Sequence, residues 1–267
     1  MENELALAAR LGLSQKTLAA LSNCVVPEDA LREIEGCFYG PWYQVEQLLA
    51  GLDTLQILMV YLHMIPYTRQ RYLDRELPEE VLWDGLQDVG IWVREHEHQF
   101  DRPGLCAWPW VAKTLRMEVF RLGRLQFEPG ILHHEIRVGE AVYPQGTPIL
   151  RVHIPAEAPL DIPRVEASLL AASQFFREQK PVLLHCHSWL LSPGLRLLLP
   201  ADSRILAFQA LFHIYAVTDG RQAEERVFGQ LRDDPAQYPE DTSLQRNLKA
   251  YLLSGKRPGV GMGVRLL

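Results

Sequence analysis

PVLLHCHSWLL, residues 181–191, decides how the second half of this 267-residue chain is read. Val182, Leu183 and Leu184 form a short apolar run of the kind that fills a buried strand. The run ends in side chains capable of chemistry, His185, Cys186, His187 and Ser188, with Trp189 next and a turn at Ser192, Pro193 and Gly194. Alternation along a strand puts His185 and His187 on one face and Cys186 and Ser188 on the other. In open α/β sheets the carboxyl ends of strands are where ligands are most often met. The competing account is a core strand whose histidines are simply hydrogen-bonded.

Working outward, residues 163–179 carry Val165, Leu169, Ala172, Phe175 and Phe176 at helical spacing. A proline-bounded loop, PAEAPLDIP (155–163), precedes that helix, and ILRVHI (149–154) precedes the loop as a strand. Further upstream EVFRLGRLQF (118–127) alternates with period two. Pro129 and Gly130 are expected to turn the chain into an antiparallel partner over 131–142, with Leu132, Ile136 and Val138 on its apolar face. Downstream, residues 194–199 suggest a short helical turn and residues 204–217 a strand containing Phe208, Leu211, Phe212 and Ile214. Val227 and Phe228 are expected to extend the sheet, Asp241 or Thr242 to cap a helix through Leu253, and GVGMGVRLL (259–267) to close the chain as a glycine-broken strand.

Before residue 118 the pattern is helical. Leu55, Leu58, Met59, Leu62 and Ile65 recur at helical spacing, with Pro66 expected to stop the run. Pro78 suits a first helical position ahead of Val81, Leu82, Leu86, Val89 and Val93. Glu95, His96, Glu97 and His98 have the residue types of metal ligands, but their place among charges at a helix end points to a solvated face. Residues 5–21 have the outline of a helix-turn-helix, with Gly12 between two short helices and Ser14 as an N-cap. The segment that would read DNA carries only Lys16 as a cation, which suits packing better than a phosphate-lined groove.

The net charge of −6 argues against general nucleic-acid binding, leaving at most a local basic patch. Cys24, Cys37, Cys106 and Cys186 form no CxxC pair, so neither a zinc ribbon nor a disulfide framework is indicated, and no metal is expected. MENELALAARLG lacks the basic start and apolar core of a secretory signal, and no stretch approaches ~18 uninterrupted apolar residues. The expectation is a cytoplasmic protein with reduced thiols and no membrane partner.

Strand, strand, strand, helix, strand is the order of the GNAT acyltransferase core. Four segments, LHMIPYTRQRYLDRELPEEV, FRLGRLQFEP, LLHCHSWLLSPGLRLLLP and PEDTSLQRNLKAYLLSGKRPGVGMG, resemble a bacterial acyltransferase-domain family that joins a helical amino-terminal domain to a GNAT-like carboxyl-terminal domain. The likeness runs over roughly residues 27–263. It implies an α+β protein: a helical domain over 1–117 and, over 118–267, a mixed, mainly antiparallel sheet with flanking helices. It also implies an N-acyltransferase that carries an acyl group from acyl-CoA or acetyl-CoA to an amine of a small molecule. GNAT proteins hold the pyrophosphate on Q/R-x-x-G-x-G/A after the third core strand, where glycines expose backbone N–H groups at a helix amino terminus. Here that loop has no glycine, two carboxylates (Glu157 and Asp161) and three prolines. This departure keeps a noncatalytic metabolite-binding protein on a degenerate GNAT fold as the alternative, with a DNA-binding regulator as the third. A homodimer is left open.

Acyl transfer to an amine needs a base, donors for the oxyanion and an acid for the departing thiol. His187 is the candidate base, with His153 at the end of the preceding strand beside it and Ser188 or Cys186 as donor; Cys186 as an acylated nucleophile is a further option. Trp189, Arg124 and Gln126 are candidate substrate contacts, although Trp189 and Trp92 also suit core packing. Lys256, Arg257 and Gly259 lie in the other phosphate-friendly stretch, and close strand packing explains its glycines equally well.

Overall fold

A computed structural model describes residues 3–267, so Met1 and Glu2, where the amino-terminal signal reading begins, lie outside the described residues. The chain divides into two compact units, Met1–Leu122 and Gly123–Leu267.

The first unit contains seven helices among its described residues: α1 (Glu4–Arg10), α2 (Gln15–Leu21), α3 (Glu28–Cys37), α4 (Trp42–Leu49), α5 (Thr54–Asp74), α6 (Glu79–Phe100) and α7 (Trp108–Leu115), followed by the short strand β1 (Phe120–Leu122). Asp53 opens α5 with a capping box completed by Gln56. Contrary to expectation, Pro66 does not stop this helix. Leu62, Met64, Ile65, Thr68 and Tyr72 are all buried around it, and Thr68 Oγ1 donates to Leu115 O at 2.8 Å. Burial of a whole helix face outweighs one missing N–H. His96 is a second correction. It lies 1% exposed rather than on a solvated face, with its ring bonded to Thr54 Oγ1 and Arg102 O at 3.0 Å each. Lys16, the one cation of the candidate DNA-reading segment, is paired with Asp101 at 3.1 Å.

The second unit contains β2 (Leu125–Ile131), β3 (Ile136–Val138), β4 (Ala141–Tyr143), β5 (Pro148–His153), α8 (Ile162–Phe175), β6 (Leu183–Ser188), α9 (Arg204–Gln209), β7 (His213–Thr218), α10 (Gln222–Phe228), α11 (Ser243–Leu253) and β8 (Val260–Leu266). Its sheet runs in the order β2-β5-β6-β8-β7. The β5/β6 pair is parallel and the others are antiparallel, giving a mixed, mainly antiparallel α+β unit.

Five expectations are overturned here. Residues 118–127 are not one strand, because Gly123, at φ +70°, turns the chain between β1 and β2. Pro129 and Gly130 are not a turn, because β2 runs straight through them, with Pro129 opposite Leu150 and Gly130 opposite Ile149. A Cβ at Gly130 would stand 2.4 Å from Arg151 Nη1, so this glycine makes room for a guanidinium rather than for a bend. Residues 131–142 accordingly supply little more than the small β3–β4 hairpin, whose Ile136 clusters with Leu132, Ile149, Leu183 and Val264, while the long antiparallel partner of β2 is β5. Finally, residues 204–217 split into α9, capped by Ser203, and β7, and Val227 and Phe228 belong to α10 rather than the sheet. Short apolar runs fit helix or strand by periodicity alone, and the caps decided between them.

Candidate active site

β5 and β6 run side by side, with Ile149 opposite Leu183, Leu150 opposite Leu184 and Arg151 opposite His185. Their ladder stops there, although β5 continues to His153 and β6 to Ser188. Beyond it each strand keeps only its outer neighbour: His153 is matched with Gln126 of β2, and His187 with Met262 of β8. The sheet therefore opens as a V at the carboxyl ends of its two parallel strands.

The register also fixes which groups surround the opening. Gln126 and Glu128 on β2, Arg151 and His153 on β5, and His185 and His187 on β6 share one face. Glu128 joins two of them: its carboxylate accepts from His153 Nε2 at 2.9 Å and from Arg151 Nη1 at 3.4 Å. Arg151 Nη2 reaches His133 Nε2 at 3.1 Å. His185 Nε2 lies 2.9 Å from the Tyr215 hydroxyl and His187 Nε2 lies 3.1 Å from Thr218 Oγ1. Burial, reinforced by His187, Arg151, His134 and His133, pushes the His185 pKa down to about 4, so this ring is neutral at neutral pH. His187 is exposed.

The other candidates lie elsewhere. Cys186 and Ser188 point to the opposite face, as strand alternation requires. Cys186 is fully buried, and burial pushes its thiol up to about 12, the reverse of what a nucleophile needs. Ser188 Oγ accepts from Leu190 N at 3.2 Å and so caps the following turn. Trp189 packs against the cluster of Leu195, Phe228, Tyr238, Leu248 and Leu252, and its backbone N–H donates to Gln222 Oε1 at 2.7 Å. Gln126 is buried beside His153. Arg124 is also buried, with its side chain donating to Ala158 O and, at 3.1 Å, to Pro159 O. It clamps the glycine-free loop from within.

At the carboxyl end, Arg257 Nε pairs with the buried Glu224 at 3.0 Å, and Lys256 is exposed. Gly259 sits at φ +74°, where a Cβ would meet Thr218 O at 2.9 Å. At 259, 261 and 263 alike a Cβ would meet a neighbouring strand or turn within 3 Å, so close packing demands glycine there whether or not a phosphate approaches. Glu128 and Arg151 were missed by sequence reasoning although each lies two residues from a nominated one, Gln126 and His153, and so on the same face. Among the described residues no cluster of His, Cys, Asp and Glu is arranged to hold a metal ion, and no helix is long and apolar enough to cross a membrane.

A helical unit ahead of a mixed sheet that opens between parallel strands, with α8 crossing between them, defines a GNAT-like protein. Comparison with known proteins makes this specific. The family model described as GNAT-like C-terminal domain matches residues 119–265, and the one described as N-acyltransferase N-terminal domain matches residues 6–117. The chain belongs to this acyltransferase family with a GNAT-like carboxyl-terminal domain.

No curated protein matches it. Among solved structures, an acyltransferase mutant in complex with octanoyl-CoA superposes with a TM-score of 0.77 at 22% identity, covering 98% of this chain and 86% of that one. An acyltransferase in complex with decanoyl-CoA and teicoplanin gives 0.76 at 23% identity over the same shares. One in complex with CoA and 10C-teicoplanin gives 0.69 at 21% identity, covering 99% of each chain. At such identities the likeness is one of fold.

Proposed function

We propose that this protein is an N-acyltransferase that moves an acyl group from acyl-CoA to an amine of a small molecule. The observation that carries the reading is the opening between β5 and β6 beyond Arg151 and His185, flanked on one face by His153 and His187. A thioester laid between the diverging strands meets backbone edges no longer bonded to each other, and its carbonyl lies near two imidazoles. The amine nitrogen attacks the thioester carbon, a C–N bond forms and the C–S bond breaks. His187 takes the proton released from the amine and returns it to the departing CoA sulfur, giving an amide and CoASH. The solved relatives complexed with octanoyl- and decanoyl-CoA make medium-chain acyl-CoA the donor to test first, and teicoplanin beside decanoyl-CoA in one structure and 10C-teicoplanin beside CoA in another favour a small-molecule acceptor.

The loop over 155–161 favours the second reading, a noncatalytic binder. It begins α8 with Asp161 as N-cap and Pro163 in the first turn, so a pyrophosphate there meets a carboxylate and one amide fewer. Thermal shift separates the two. Octanoyl-CoA at a hundred times a plausible dissociation constant stabilises its binder by about 2.7 kcal/mol, and no stabilisation by octanoyl-, decanoyl- or acetyl-CoA would sink the transferase. If binding is seen, release of CoA thiol is followed with a panel of primary amines. His187→Ala is expected to lower turnover by roughly 10²–10⁴-fold, and retained turnover removes His187 from the mechanism.

A further inference from the structure

β7 carries one extra residue against β8. Ile214 is opposite Gly263 but Ala216 is opposite Met262, so Tyr215 is the bulged residue. This changes which side chains reach the polar face of the sheet. Met262 also lies opposite His187 and Val264 opposite His185, so Met262, Val264 and Val260 mark that face on β8. Without the extra residue Thr218 would fall on the other face. With it, Thr218 stands opposite Val260, and both Tyr215 and Thr218 reach across β8 to the two histidines of β6, at 2.9 and 3.1 Å. Gly259 lets β7 end this close, because a Cβ there would meet Val217 and Thr218 within 3 Å.

Thr218 Oγ1 has one proton and two neighbours, His187 Nε2 at 3.1 Å and Val260 O at 3.4 Å. A carbonyl only accepts. Both contacts are hydrogen bonds together only if the hydroxyl donates to Val260 O and accepts from His187 Nε2–H. Nε2 then carries the ring's proton and Nδ1 the lone pair.

We propose that Thr218, set on this face by the bulge at Tyr215, is a positioning residue that holds His187 in the Nε2–H tautomer, so that Nδ1 receives the proton of the attacking amine. The catalytic half of this statement rests on the proposed function; the tautomer does not. The test uses the full chain labelled with 15N-histidine at pH about 8.5, where an ordinary imidazole is neutral. Wild type and Thr218→Ser are expected to show His187 as Nε2–H, and Thr218→Val a mixture of tautomers.

In thiol-release assays with octanoyl-CoA, Thr218→Val is expected to lose kcat by roughly tenfold, the effect of one neutral hydrogen bond. KM for octanoyl-CoA should be unchanged, and serine should restore turnover. An Nδ1–H ring in wild type overturns the proposal whatever the kinetics. Full turnover in Thr218→Val with an inactive His187→Ala overturns the positioning role alone. Full turnover in His187→Ala overturns the base assignment, and with it the catalytic role of Thr218.

Discussion

Gly261 tests whether the glycines near the carboxyl terminus serve packing or a phosphate. It lies in β8 opposite Ser188 and Val217, and a Cβ built there would stand 2.2 Å from Leu191 O and 2.4 Å from Leu191 C. That is about 1.2 Å short of ordinary contact, and the atoms met are backbone rather than the tip of a flexible side chain. Gly261→Ala must therefore push the turn Trp189–Leu191 away from β8, at a cost near the upper end of overpacking, about 3 kcal/mol. With a urea slope of roughly 2 kcal/mol per M, the midpoint of the second unit should fall by about 1.5 M. Trp189 sits in the displaced turn and is the only tryptophan in residues 123–267, so the tryptophan spectrum should change as well. Gly255→Ala is the control. Nothing lies within 4 Å of its Cβ, only its φ of +80° resists alanine, and about 1 kcal/mol is expected. A Gly261→Ala protein with the wild-type midpoint but no octanoyl-CoA binding would refute the packing argument and return this stretch to the phosphate.

Two further perturbations read other parts of the molecule. In the helical unit His63 bridges Glu4 of α1, at 2.8 Å, and Glu35 of α3. Burial alone would lower its pKa, but its hydrogen bonds to the two carboxylates, with their charge, raise it above the ordinary 6.5, while the bond to His63 lowers Glu4 below its ordinary 4.5 despite burial. The raised histidine contributes stability that is full below pH 6.5 and lost as pH rises through its folded value. The lowered carboxyl contributes stability present above pH 4.5 and lost as pH falls. Urea midpoints should therefore peak between these limits, and His63→Gln should flatten the alkaline slope; an unchanged slope removes the bridge from the stability account. In the second unit, Arg124→Met removes charged donors from Ala158 O and Pro159 O and should cost about 2–3 kcal/mol. It should also speed proteolysis within 155–161, and a loop as resistant as in wild type would show that the clamp is unnecessary.

What could be read in the sequence follows the physics of each signal. The order of elements around residues 149–188 was legible because a long amphipathic helix stands between two short apolar runs, and from it followed the expectation that His153 and His187 end two strands that part. The face of Glu128 and Arg151 was legible in principle from alternation, but seeing it required β2 to continue through Pro129–Gly130, and that dipeptide ordinarily marks a turn. Gly130 is there for Arg151, a contact between neighbouring strands that no local pattern announces. The bulge at Tyr215 was illegible for a related reason. Alternation in β7 predicts that 213, 215 and 217 share a face, and one extra residue, specified only by pairing with β8, moves Thr218 to it. The glycine-free loop pulls in the opposite direction, since its local chemistry speaks against a phosphate while the fold around it is GNAT-like. Arg124 explains why the loop keeps its shape without glycines, by filling the carbonyls that a tight turn leaves unpaired. The histidines at 185 and 187 are therefore held by Tyr215 and Thr218 of β7, while His153 on β5 is held by Glu128 of β2. Each is placed by a backbone register rather than by a motif, and a search for motifs would find the histidines without the groups that orient them.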